Sequence, residues 1–171
     1  MIVLGIDPGS RRTGWGIVEQ EGSRLQLLAM GVLAPPAAAA LPLRLVELHR
    51  GLSEVLAEHA LDAAGMETVF HGPNTRSLVT LGQARGALLT ALGASGLPLS
   101  EISPSEIKKA VTGRGGASKD QVASMVRSML GSSVAAREAE LSAAARRDAT
   151  DALAVAVATL HRQRWERALA R

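Results

Sequence analysis

The chain has 171 residues, 47% apolar and only 2% aromatic, which suits one domain, 1–171, around an aliphatic core. It has no cysteine, so disulfides and thiolate metal sites are excluded. The net charge of +3 is small, so any affinity for polyanions must come from local clusters.

Met1 to Ile6 is apolar but lacks the basic start of a signal peptide, and Asp7-Pro8-Gly9 breaks it at once. No apolar run approaches the roughly 20 residues that span a bilayer. A cytoplasmic protein with no membrane partner is expected. In chain order, Ile2 to Asp7 predicts a buried strand, and Asp7-Pro8-Gly9-Ser10 a type II turn with Gly9 at positive φ. Thr13 to Glu19 and Leu25 to Leu33 predict two strands joined near Gly22. Leu41, Leu45, Leu48, Leu52 and Val55 recur at helical spacing. Ala63 to Phe70 predicts the next strand, weakened by Gly65, and Asn74 to Leu92 a helix. Leu97 to Ile102 predicts a fifth strand. Ser103-Pro104-Ser105-Glu106 is a capping box with Pro at the first helical position, and Gly113 should end that helix. Gly113 to Gly116 predicts a loop carrying Arg114. Ser118 to Gln121 is a second capping box, opening a helix to about Leu130. No structure is assigned to 131–146. Asp148 to about Leu169 predicts a final helix with Leu153, Val157 and Leu160 inward. Short turns make the first strands antiparallel, and helical crossovers make the later ones parallel. The expected fold class is α/β, a five-stranded mixed sheet flanked by helices.

Four carboxylates stand out. Asp7 ends the first strand, Glu67 lies inside an apolar string, and Asp148 and Asp151 share a helix face. Each also has a plainer reading. Asp7 suits the cap of its own turn. Asp148 suits a helix N-cap, with Asp151 in the first turn favoured by the helix dipole. Glu67 suits a solvent face of its strand. If Glu67 is instead buried, it needs a partner, either an arginine or a metal ion. Hard cations such as Mg²⁺ take carboxylate and water oxygens and leave positions for phosphate.

The string Gly5-Ile6-Asp7-Pro8-Gly9-Ser10 with Thr13-Gly14 resembles the opening of the RuvC Holliday junction resolvases. Glu67 with Val69-Phe70 resembles that family's second acidic motif. Leu81-Gly82-Gln83-Ala84-Arg85-Gly86 is similar to its helix signature. Asp148-Ala149-Thr150-Asp151-Ala152-Leu153-Ala154 resembles its closing acidic pair. The resemblance implies an RNase H-like fold, a homodimer, and paired symmetric nicks in four-way junction DNA during recombination and repair. It also implies two Mg²⁺ per active site, with Mn²⁺ able to substitute, and partnership with the RuvA–RuvB branch-migration complex. By motif, Asp7, Glu67, Asp148 and Asp151 would bind metal, Phe70 would stack on junction bases, and Lys108 and Lys119 would lie near the cut strand. Lys119 joins the carboxylates as a catalytic candidate. Thr68, and the pair Gly65-Met66, depart from the pattern expected around the glutamate.

Phe70, the only Phe, is also suited to a core. Against that, base stacking on an aromatic is worth about 1–3 kcal/mol per base. The stretch Ser103 to Arg127 holds Lys108, Lys109, Arg114, Lys119 and Arg127 against Glu106 and Asp120. Arg162, Arg164, Arg167 and Arg171 form a second basic cluster near the end of the chain. Lys119 in a first helical turn opposes the dipole, which points to a phosphate partner. Lys108, Lys109 and Arg114 are further DNA-contact candidates, as are Asn74 and Arg76 beyond Phe70. Gln83 and Arg85 suit helix packing or a subunit interface. Two rivals remain. An ATP-handling enzyme of the sugar-kinase and actin kind opens on a similar strand–Asp–Gly loop but needs two domains. A non-catalytic junction-binding module would lack carboxylates.

Overall fold

The computed structural model describes residues 1–68 and 75–169, with only the backbone of Leu169. Phe70, His71 and Asn74 lie outside the described residues. Five strands form one sheet in the order β3-β2-β1-β4-β5: β1 Ile2–Asp7, β2 Thr13–Glu21, β3 Arg24–Leu33, β4 Ala63–Glu67 and β5 Leu99–Ile102. β1, β2 and β3 pair antiparallel, while β4 runs parallel to both β1 and β5. This is the mixed sheet expected from connection lengths. The helices are α1 Leu41–Glu58, α2 Thr75–Ser95, α3 Pro104–Thr112, α4 Lys119–Leu130, α5 Ser132–Ala139 and α6 Ala143–Leu169.

The sheet is covered on both faces. Alternation along β1 sends Leu4 and Ile6 into a core with Leu48, Leu52, Leu88 and Leu92 of α1 and α2. Val3 joins the opposite core, formed with α3 to α6, including Val126, Leu153 and Leu160. The largest fully buried side chains are aliphatic, as the composition required.

Small residues bring α6 down onto the strands. A Cβ on Gly5 would lie 2.1 Å from the Ala152 carbonyl oxygen, and one on Gly14 would lie 1.9 Å from that of Asp148. A Cβ on Gly65 would meet Thr159 Oγ1 at 1.8 Å. Gly65 therefore does not loosen β4. It is where the sheet accepts the helix, and its neighbour Met66 is wholly buried.

Several expectations need correction. Gly9 is not among the positive-φ glycines, so the Asp7–Ser10 turn is not type II. Glycine is needed there because a Cβ would lie 2.0 Å from the Arg12 carbonyl oxygen. The residues left unassigned form α5 and the start of α6. α6 opens before Asp148, with Ala145 N–H donating to Ser142 Oγ at 3.3 Å. Neither Asp148 nor Asp151 is an N-cap. β4 ends at Glu67, which is its last residue and not its middle. Both expected capping boxes are present, at Ser103 with Glu106 and at Ser118 with Gln121.

Candidate active site

Two adjacent parallel strands deliver the centre of the site. Ile6 pairs with Met66, so Asp7 and Glu67 are the next residues on neighbouring strands. Both follow glycines that face α6, at Gly5 and Gly65, and period-two alternation puts both carboxylates on that same face. Their side chains hydrogen-bond to each other. Burial, then the charge of Glu67 and that of Asp151, push the Asp7 carboxyl up to about 8, while Lys119 pulls the other way. Glu67 is also raised, chiefly by burial, against the opposing hydrogen bond from Asp7 and the charges of Lys119 and Lys108. The pair thus shares a proton near neutral pH, which two ordinary surface carboxylates would not do.

α6 and α4 close the site. Asp151 Oδ2 accepts from Lys119 Nζ at 2.9 Å. That hydrogen bond, more than any other contribution, holds the Lys119 ammonium above its ordinary range. The ammonium expected to wait for a phosphate therefore has a carboxylate partner. Asp148, one helical turn earlier, is 2.6 Å from Arg12 Nε. Arg12 went unnoticed in the sequence, where 136 positions separate it from its partner.

The predicted residues are thus only partly assembled. Asp7, Glu67, Asp151 and Lys119 are grouped, while the Asp148 carboxylate is held by Arg12. Among the described residues, no three acidic or histidine side chains converge as a ready metal cage. The donors suit a hard cation all the same, because they are carboxylate oxygens and the nearby Lys119 and Lys108 offset the charge of the half-buried Asp7–Glu67 pair only in part, leaving both carboxyls raised.

A cavity of about 260 Å³ opens beside this group, lined by Glu67, Lys108, Lys119 and Asp151. Lys108 is therefore at the site. Lys109 is exposed and does not line this cavity. Arg114 lies on a neighbouring groove with Asp120 and Gln121. Arg76 is exposed in the first turn of α2. Behind Asp151, Thr150 Oγ1 donates to Glu138 Oε1 at 2.8 Å, and Arg127 grips the same carboxylate. Burial alone would raise Glu138, but the hydrogen bonds from Arg127 and Thr150 leave it lowered. Glu138, the centre of this support, was also missed, because it lies in the segment with no assigned structure.

The family described as "Crossover junction endodeoxyribonuclease RuvC" matches residues 3–159. The chain belongs to this RuvC family. A RuvC from Azorhizobium caulinodans is 45% identical over 93% of this chain and 89% of its own. One from Paramagnetospirillum magneticum is 43% identical over 100% and 98%. Among solved structures, Thermus thermophilus RuvC matches with a TM-score of 0.82 at 31% identity, covering 97% of each chain. The same enzyme in complex with a Holliday junction substrate matches at 0.79 over 92% of each. The fold is thus the RNase H-like one, and the protein is an endonuclease. Membership in the RuvC family rules out the kinase-like rival and the non-catalytic one. The family is also consistent with dependence on a divalent metal. No described helix is long and apolar enough to cross a membrane.

Proposed function

We propose that residues 1–171 form a single nuclease domain that resolves four-way DNA junctions by metal-dependent phosphodiester hydrolysis. Asp7, Glu67, Asp148 and Asp151 would hold two Mg²⁺, with Mn²⁺ able to substitute. When bound, such a pair of ions activates a water and stabilises the leaving oxygen. The observation that carries this reading is that neighbouring strands bring Asp7 and Glu67 together on the face that meets α6, beside Asp151 and Lys119, and the raised affinity of the half-buried pair for a proton agrees with a place built for positive charge.

The chain's own residues do the rest. Asp7 and Glu67 would lose their shared proton to solvent in order to hold the cation. Arg12 and Lys119 release Asp148 and Asp151, and Lys119 and Lys108 then face the phosphates of the cut strand. Lys109, Arg114, Arg76 and Asn74 extend the phosphate contacts, while Phe70 stacks on junction bases on the grounds of motif alone. Paired cuts on opposing strands require two such sites, which supports a homodimer. Family membership supports action beside RuvA–RuvB.

The test compares a synthetic four-way junction with linear duplex of the same sequence, in Mg²⁺ or in EDTA. Symmetric nicks are expected in the junction alone, abolished by EDTA and by Asp7→Asn. Equal cutting of linear duplex would remove the resolvase reading, and cutting by Asp7→Asn would remove the site assignment.

A further inference from the structure

Arg85 was expected to serve packing or an interface, and the structure gives it a more specific position. It sits on α2, yet its side chain is only 11% exposed. One Nη donates to the backbone carbonyl of Glu67, and the other meets the Glu101 carboxylate on β5. Burying a guanidinium is costly unless its donors are satisfied, so the contact needs a reason.

The strand ladder supplies one. Ala64 N–H donates to Pro98 O at 2.9 Å and Thr68 N–H to Ile102 O at 2.9 Å, so even-numbered residues of β4 face β5. Glu67 is odd and faces β1. Extending the register Ile6–Met66 by two residues puts Pro8 beside Thr68, and Pro8 has no N–H to offer the Glu67 carbonyl. The family turn that places Asp7 thus leaves its neighbour's backbone without a ladder donor, and Arg85 provides one from another helix. Glu101 is held in turn from the far face of the sheet, where Arg162 Nη1 on α6 donates to its carbonyl at 3.0 Å.

We propose that Arg85 is a positioning residue for the cut. It fixes the end of β4 so that the Glu67 carboxylate meets Asp7 and the cation in one orientation. This rests on Glu67 being a metal ligand. Arg85 does not line the cavity beside the carboxylates, so it would act through Glu67. Partners that orient metal ligands typically change metal affinity or activity by about 10- to 100-fold when removed.

The test measures three quantities on the full chain: Mn²⁺ binding by electron paramagnetic resonance without DNA, single-turnover cutting at saturating junction, and junction affinity in EDTA. Arg85→Met should weaken Mn²⁺ binding and slow cutting, each by about tenfold or more, with junction affinity unchanged. Arg85→Lys, which keeps the charge and one donor at a time, should recover part of both. Glu101→Gln provides a second variant should Arg85→Met fail to fold, and it should show a smaller loss of the same kind. Leu88→Ala, a core substitution on the same helix, should lower Tm without moving Mn²⁺ binding. Parental Mn²⁺ affinity and cutting rate in Arg85→Met, with Glu67→Gln dead, would overturn the positioning role alone. Cutting by Glu67→Gln would instead overturn the ligand reading beneath it. Equal losses in Leu88→Ala would reduce Arg85 to general stability and refute the proposal.

Discussion

Asp7→Asn should stabilise the protein when metal is chelated, while destroying its activity. Burial, then Glu67 and Asp151, move the Asp7 carboxyl from an ordinary 3.8 to about 8. An acid raised in this way gives its full stability below about pH 4 and loses it as pH rises through about 8. At pH 7 the group stands about three pH units above its ordinary value, and each unit is worth about 1.4 kcal/mol, a cost of about 4 kcal/mol to the fold. Glu67 shares the proton and the cost, so the single substitution should recover roughly 2 kcal/mol. For a chain of this size that is about 4–8 °C in Tm. Asn keeps a donor toward Glu67, so the local hydrogen bond survives. Thermal melts in EDTA at pH 4, 6 and 8 read the effect. The two proteins should melt together near pH 4, with the variant gaining as pH rises. Adding Mg²⁺ should then raise the parent's Tm and leave the variant's unmoved. A variant that melts below the parent at pH 8, or a gap independent of pH, would refute the shared-proton account.

Gly65→Ala puts a methyl 1.8 Å from Thr159 Oγ1, an overpacking that should cost about 1–3 kcal/mol in chemical denaturation. Thr159→Ala in the same chain should recover part of it, and no recovery would mean that the clash lies elsewhere. Arg12→Ala frees Asp148 from its 2.6 Å partner. Exposed ion pairs contribute about 0–1 kcal/mol, so the Mg²⁺ concentration for half-maximal cutting should fall by up to about fivefold. A rise would show that Arg12 helps bind substrate. Phe70→Ala should slow cutting while keeping junction affinity within a few-fold, because backbone cations carry most of it. A collapse in gel-shift affinity with the fold intact would end the stacking assignment.

Features decided within a few residues were legible in the sequence. The capping boxes at Ser103 and Ser118, the helical spacing of Leu48 and Leu52, and the end of the first strand at Asp7-Pro8-Gly9, though not the type of its turn, carry their cause beside them. Features decided across the fold were not. Gly65 looked like a weak point because strand propensity counts only the lost side chain, whereas its use is contact with Thr159, far away in sequence. α6 hides its start because its first turn, Ala143 to Arg147, is mostly exposed and carries no apolar stripe, so Asp148 passed for a cap. Ionic partners were the least legible. Nothing near Arg12 announces Asp148, and nothing near Arg85 announces the Glu67 carbonyl. The sequence singles out four carboxylates, of which the structure groups Asp7, Glu67 and Asp151, but that Arg12 holds Asp148 and Lys119 holds Asp151 is a tertiary fact.

β1 is paired along both edges and covered on both faces, with Val3, Leu4 and Ile6 fully buried. Its amides should therefore be among the slowest in the molecule to exchange with deuterium, opening only when the whole fold opens. Arg12 stands on a short surface turn, and the Lys119 side chain is 81% exposed. Their side chains should rearrange within nanoseconds. The site thus joins two clocks. The wall that carries Asp7 keeps the lifetime of the fold, and the cations that guard the α6 carboxylates can let go between one collision with solvent and the next.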